Sequence, residues 1–236
     1  MDSQAGGSIG DRVSFVLDRI RSAEQASSRP KGSVRLVAAT KTVSSERIRE
    51  AIAAGLTLAG ENRLQEALPK IEALQREPIK WHFIGQLQRR KVRSVIGIFE
   101  LIHSVDSFDL AREIDRLAEA AGLQQEILLE VNIGGEGSKA GFEPGELEQT
   151  LPRFGRLTHV AVKGLMAIPP PVAVAEQARP YFRALHELAR RLALQAIPRI
   201  SMAELSMGMS NDYQVAIEEG ATLVRVGTAI FGARHV

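Results

Sequence analysis

The sequence predicts a (β/α)8 barrel preceded by one extra helix. Strand-like and helix-like segments alternate along almost the whole chain, which points to a parallel sheet covered by helices. The length of 236 residues is close to the roughly 250 that such a barrel takes. Polar residues recur where the strands end, the edge on which barrels build their sites. A doubly wound open sheet would also satisfy the alternation.

The elements follow in order. Residues 1–10, small and polar, are expected to be a flexible N-terminus, and 11–236 one domain. Val13, Val16, Leu17 and Ile20 fall at helical spacing, giving a helix over 11–27 that Ser27-Ser28-Arg29-Pro30 ends. Residues 34–40 form the first strand. Ser44 caps a helix over 45–54, closed by Gly55. A short strand at 56–59 leads to a helix over 62–76, then a strand at 80–84. Residues 88–97 read as a helix, 101–105 as the fourth strand, and Leu110, Ile114, Leu117 and Ala118 as the inner face of the next helix. Strand 126–132, helix 144–154, strand 160–166 and a long helix over 174–194 continue the series. A short strand at 205–207, a helix over 210–219 and a strand at 223–226 complete it. The continuously apolar run Ile127-Leu128-Leu129 fits a strand covered on both faces.

Composition excludes several classes. Apolar residues are 44% and charged residues 25% of the chain, which describes an ordinary globular protein. A net charge of +2, with an isoelectric point near 9.1, gives no case for nucleic acid or an anionic membrane. The absence of cysteine removes disulfides, iron–sulfur clusters and thiolate catalysis. The N-terminus lacks the basic and apolar regions of a signal peptide, and no run approaches the roughly 20 apolar residues of a membrane span. The expected location is cytoplasmic.

Lys41 ends the first strand. A lysine leaving a buried strand sheds hydration, which depresses its pKa and makes its amine a nucleophile toward carbonyls. The alternative is a side chain that merely reaches water from the strand end. Gly227-Thr228 follows the last strand and opens a turn of helix, where free N–H groups and a hydroxyl form an anion site. Ser206-Met207-Gly208-Met209-Ser210 faces it from strand seven. Arg225 precedes Gly227 by two residues and so points to the same side of its strand. An amine, an anion site and a guanidinium around one rim suit pyridoxal phosphate, whose ring nitrogen takes arginine as one of its partners. His82, at the end of strand three, is a further candidate for contact with the cofactor. The five histidines show no metal-binding spacing. Arg89-Arg90-Lys91-Val92-Arg93 reads as a solvated face.

Ordered matches extend the case: Ala39-Thr40-Lys41, Gly60-Glu61-Asn62, His82-Phe83-Ile84-Gly85, Asn132 through Glu136 to Lys139-Ala140-Gly141, Gly164-Leu165-Met166-Ala167, Leu205 to Asp212 and Val224 to Gly232. With these the chain resembles the pyridoxal phosphate homeostasis proteins, single-domain relatives of the alanine racemase N-terminal barrel, from Val34 to Arg234. The resemblance implies that Lys41 forms the aldimine and that Arg225 faces the pyridine nitrogen. It also implies that Ser206, Gly227 and Thr228 hold the phosphate while Asn62 lines the cofactor. Arg63 and Arg90-Lys91 depart from the family pattern at the rim, where tyrosine and Asn-Lys are common. Lys139, in a glycine-rich loop, reads from the residues as a surface lysine, while the resemblance implies a secondary aldehyde acceptor or pocket residue.

Racemisation needs a base on each face of the substrate carbon. In alanine racemase the second is a tyrosine contributed by another domain, which this chain lacks; its own tyrosines, Tyr181 and Tyr213, fall in helical segments. The expected function is therefore to hold pyridoxal phosphate and pass it to apo-enzymes, as a monomer or weak homodimer. A slow amino-acid racemase or related enzyme is the alternative. A phosphosugar barrel such as an aldolase is disfavoured by the whole-chain match.

Overall fold

The computed structural model describes residues 7–137 and 139–232. Most of the expected N-terminal tail, residues 1–6, lies outside them, as does His235. Helix α1 spans Ile9–Ala26 and starts two residues earlier than its apolar spacing indicates. Ser8 and Asp11 form a capping box: Ser8 Oγ accepts the Asp11 N–H at 3.2 Å, and Asp11 Oδ2 accepts the Ser8 N–H at 2.9 Å.

The barrel strands are β1 (Arg35–Ala39), β2 (Leu58–Glu61), β3 (Lys80–Phe83), β4 (Leu101–Val105), β5 (Gln125–Glu130), β6 (Val160–Met166), β7 (Ile200–Met209) and β8 (Leu223–Val226). They pair in sequence order, all parallel, and β8 returns to β1 to close the sheet. Helices α2 (Ser45–Ala53), α3 (Leu64–Ala73), α4 (Phe108–Ala120), α5 (Pro144–Phe154), α6 (Arg179–Ala193), α7 (Tyr213–Glu218) and the single turn α8 (Thr228–Phe231) cover the outside. The predicted (β/α)8 barrel of the alanine racemase N-terminal type, with its additional N-terminal helix, is the fold observed.

Alternation along the strands makes two cores. Val37, Leu58, Ile84, Leu101, Leu128, Met166 and Leu223 fill the barrel interior. Residues of opposite parity, among them Ala38, Ala59, Phe83, Ile102, Ile127 and Leu129, pack beneath the helices. Each fully buried large side chain contributes about 1.5–3 kcal/mol; the inward positions of β3 and β7 are instead polar, with His82 and Ser206.

Three segments differ from expectation. The helix over 88–97 is a 3₁₀ turn, Arg89–Ser94, that buries Val92. Gln88 supplies no side-chain cap, and cations crowd the end where the helix dipole is positive. The long helix over 174–194 divides into a 3₁₀ turn, Ala175–Ala178, and α6. Pro180 sits at the first turn of α6, where its missing N–H has no intrahelical partner to lose. Strand β7 runs ten residues rather than three, because in its mixed first half Ile200 and Met202 pack against the core and Glu204 is held by partners. Glu204 bonds Arg35 Nη2 at 2.6 Å and Thr222 Oγ1 at 2.6 Å.

Gly164 marks a register shift between β6 and β7. A Cβ there would lie within overlap distance of the Glu204 carbonyl oxygen, on the backbone of the neighbouring strand. Gly164→Ala should destabilise the fold by roughly 3 kcal/mol or more, since neither strand can move without breaking the ladder; chemical denaturation measures it.

Candidate active site

The mouth of the barrel at the strand C-termini carries the polar residues. Lys41 and Asn62 lie just past β1 and β2 and keep the inward parity of Val37 and Leu58. Lys41 is half-buried, and Thr42 after it takes φ 63°, a left-handed conformation rare for a β-branched residue. The Asn62 side-chain oxygen is buried without a hydrogen-bond partner. Gly85, after β3, lies against the Asn62 backbone so closely that any Cβ would overlap it. This fixes the β2 loop against the β3 loop.

Below the mouth a hydrogen-bonded chain crosses the interior. Arg225 Nη1 donates to the Ser206 carbonyl at 2.8 Å and to Ser206 Oγ at 2.5 Å, and Nη2 donates to the Ala167 carbonyl at 2.9 Å. Ser206 Oγ lies 2.8 Å from His103 Nδ1, and His103 Nε2 lies 3.0 Å from His82 Nδ1. Arginine can only donate. The direction that leaves the fewest groups unpaired runs from Arg225 to Ser206 Oγ, from the Ser206 hydroxyl to His103 Nδ1, and from His103 Nε2–H to His82 Nδ1. Its one unpaired group is His82 Nε2, which is buried with no partner.

This direction requires both rings to be neutral. Burial, opposed in part by Glu100, lowers the His82 pKa from 6.5 to about 4. Burial also holds His103 well below its ordinary value, with further lowering from His82 and Arg225. Arg225 is lowered to about 10 by burial, against the attraction of Glu130 and Asp212, and so stays charged at neutral pH. Glu130, of inward parity on β5, is raised to about 7, chiefly by burial and secondarily by Asp106, with Arg225 opposing. Burial raises the Asp212 carboxyl while its bond to the Met209 N–H, at 2.6 Å, opposes the rise.

The loop after β8 forms a cup. Gly227 N–H donates to Ser210 Oγ at 3.2 Å, and α8 begins at Thr228. The carbonyls at the far end of α8 are taken by arginines: Arg12 Nε donates to Ile230 at 2.6 Å, and Arg47 Nη2 to Phe231 at 2.5 Å. A Cβ on Gly227 would sit 3.3 Å from Ala39, so the cup adjoins the end of β1 from which Lys41 leaves.

The structure thus groups Lys41, Asn62, Gly227 and Thr228 at the mouth, above Arg225. Ser206, expected in the phosphate group, is fully buried and engaged by Arg225 and His103. The serine beside Gly227 is Ser210. A register shift between Ser206 and Met209 turns the chain there, and spacing along an unbroken strand does not reveal it. His82 is 1% exposed and lies inside the barrel rather than at its rim. His103 was not selected from the sequence, since a polar pair, His103-Ser104, within an apolar strand has no special spacing. Lys139 pairs with Glu136 at 2.5 Å in the loop after β5, which Asn132 pins through the Glu136 backbone. The basic run 89–93 forms the 3₁₀ turn after β3. Among the described residues, no cluster of three or more histidine, aspartate or glutamate side chains could hold a metal ion, and no helix is long and apolar enough to cross a membrane.

Fold and mouth together define an alanine racemase-type barrel: residues 17–235 match the family described as alanine racemase, N-terminal domain. At full length the chain belongs to the pyridoxal phosphate homeostasis protein family. It is 47% identical to the Aquifex aeolicus member over 95% of this chain and 97% of that one. It is 42% identical to the Pseudomonas aeruginosa member, over 96% of each. Among solved structures it is similar to PipY of Synechococcus elongatus with PLP bound, at 37% identity and a TM-score of 0.84, covering 95% of this chain and all of that one.

The neutral histidines make the fold acid-sensitive. Their folded pKa values lie below the unfolded 6.5, so the unfolded chain binds more protons. The stability is complete above pH 6.5 and is lost as pH falls toward 4. For His82 the loss amounts to about 3 kcal/mol. Denaturation curves across that window should be shallower in pH for His82→Gln than for the wild type.

Proposed function

We propose that the protein holds pyridoxal 5′-phosphate covalently through Lys41 Nζ and serves cofactor homeostasis in the cytoplasm, passing the cofactor to apo-enzymes. It would do so as one barrel domain over residues 11–236, a monomer or weak homodimer. The carrying observation is the buried, charged Arg225. It lies two residues before Gly227 and in register with Val37, on the strand that leads to Lys41. Ring, phosphate and aldehyde partners thus fall along two adjacent strands. Membership of a family whose Synechococcus elongatus relative is described with PLP bound supports the same reading.

The residues present fit the group. Gly227, Thr228 and Ser210 offer N–H and hydroxyl donors suited to a phosphate. The unpaired Asn62 side-chain oxygen is a buried polar atom awaiting a partner. His82, Ser206 and His103 stand behind Arg225 and fix its orientation. Bound pyridoxal phosphate supplies an electrophilic aldehyde and a ring able to withdraw electrons. Arg225, with a pKa of about 10, keeps its proton at neutral pH and would donate a hydrogen bond to the ring nitrogen of the bound group without protonating it.

That arrangement favours holding over turnover. Tyr213 packs against Gly208 and feels Arg19 of α1, on the outside of the barrel, and Tyr181 lies on α6. One observation favours the second reading, a slow racemase or related enzyme: Glu130, with a pKa of about 7 and inward parity, could exchange a proton near neutrality.

Spectroscopy tests the proposal. Protein mixed with pyridoxal phosphate should turn yellow, and borohydride reduction should fix the label on Lys41. Lys41→Ala should lose the band, and a label found on another lysine would refute the anchor. Removing either hydroxyl, in Ser210→Ala or Thr228→Ala, should weaken binding about tenfold. Incubation with L-alanine in deuterated water separates the readings: exchange of the α-hydrogen at enzyme-like rates favours the racemase.

A further inference from the structure

Lys41 is flanked by two peptide groups, and both are held by α3. Glu66 Oε2 accepts the Thr42 N–H at 2.9 Å. Lys70 Nζ, one turn further along the helix, donates to the Thr40 carbonyl oxygen at 2.8 Å. Residues four apart share one face of a helix, so a single face presents a carboxylate and an ammonium of opposite sign to the two sides of Lys41. Bonds with one charged partner are about twice as strong as neutral ones.

Further contacts hold the charged groups themselves. Glu61 Oε1 pairs with Lys70 Nζ at 2.8 Å and accepts the Thr40 hydroxyl at 2.6 Å. Glu61 is fully buried, and its second oxygen has no partner. Glu66 Oε1 faces Arg63 Nη1 at 3.6 Å, which gives the unusual arginine after Asn62 a contact in this structure. A buried ion pair is poor evidence of stability, because apolar residues of the same size often serve as well. What this pair supplies is direction: it aims Lys70 at one backbone oxygen. Thr42 meanwhile keeps a left-handed conformation that its side chain disfavours.

We propose that α3 is a two-point clamp, with Glu66 and Lys70 as positioning residues that set the angle at which Lys41 enters the barrel mouth. Because α3 starts two residues after Asn62, the same helix ties the lysine to the neighbouring β2 part of the rim. The inference rests on Lys41 being the cofactor anchor.

The test follows release of pyridoxal phosphate from the loaded protein, by its dissociation constant and by the rate at which hydroxylamine strips it. Lys41→Ala is run alongside. Glu66→Ala should bind about tenfold more weakly and be stripped correspondingly faster, as expected for loss of one charge-assisted bond. Glu66→Gln keeps an oxygen that accepts the Thr42 N–H, and should stay within about threefold of wild type. The double variant Glu61→Gln/Lys70→Met, which removes the buried charges together, should match Glu66→Ala in release while melting near the wild type. Should it not fold, the Glu66 pair decides alone.

Wild-type release from Glu66→Ala would overturn the clamp, and so would a Glu66→Gln as defective as the alanine variant. If the band vanishes in Lys41→Ala but release is unmoved in the α3 variants, the clamp fails alone. If the band survives in Lys41→Ala, the anchor fails and the clamp with it.

Discussion

Closure of the sheet by β1 and β8 is the constraint from which the site follows. The pairing Ala38↔Val226 sets the end of the first strand beside the end of the last, although the two are separated by nearly the whole chain. Without it Lys41 and Gly227 would belong to opposite edges of an open sheet, and Arg225 would face a solvated groove. With it, the interior becomes dry enough to push two histidines to neutrality and to lower even a guanidinium. Closure also removes both sheet edges, so the ladder itself needs no covering.

The polar chain inside the barrel depends on that dryness. In water a seryl hydroxyl and an imidazole would exchange partners freely. In the interior Ser206 Oγ meets Arg225 and His103, His103 meets Ser206 and His82, and the donor-only guanidinium at one end imposes direction on the rest. The cost falls on stability: burying an arginine takes several kcal/mol from the fold, and a leucine would pack there at lower cost. Three short bonds to Ser206 and Ala167 offset part of it. The remaining charge is what a ring nitrogen or another acceptor at the mouth would meet.

Much of this is legible in the sequence, and what is not has physical causes. Strands β4, β6 and β8 are apolar runs and read with their observed bounds. Strand β7 is underestimated because Ile200 to Glu204 mixes apolar and polar residues without a clear alternation, and partners such as Arg35 and Thr222 hold Glu204 in the strand. The 3₁₀ turn at Arg89 reads as a helix because periodicity registers apolar spacing and takes little account of missing caps. Lys41 and Arg225 stand out by position. Ser210 is hidden by a register shift, and His103 and the Glu66–Lys70 pair by distance: each acts on residues that only folding brings near.

The arrangement around Lys41 bears on why holding and turnover pull the site in different directions. An anchor that must release its cargo gains from a mouth open to solvent and to other proteins, and the lysine and asparagine at this rim are only half-buried. A strong catalyst gains from the reverse: excluded water and a second base fixed opposite the first. Here the fixed groups lie below the mouth, in Arg225 and its chain, and behind Lys41, in α3. Above it, where a substrate carbon would have to sit between two bases, the helical tyrosines contribute none. Rigidity beneath and access above are what the proposed holding role would require.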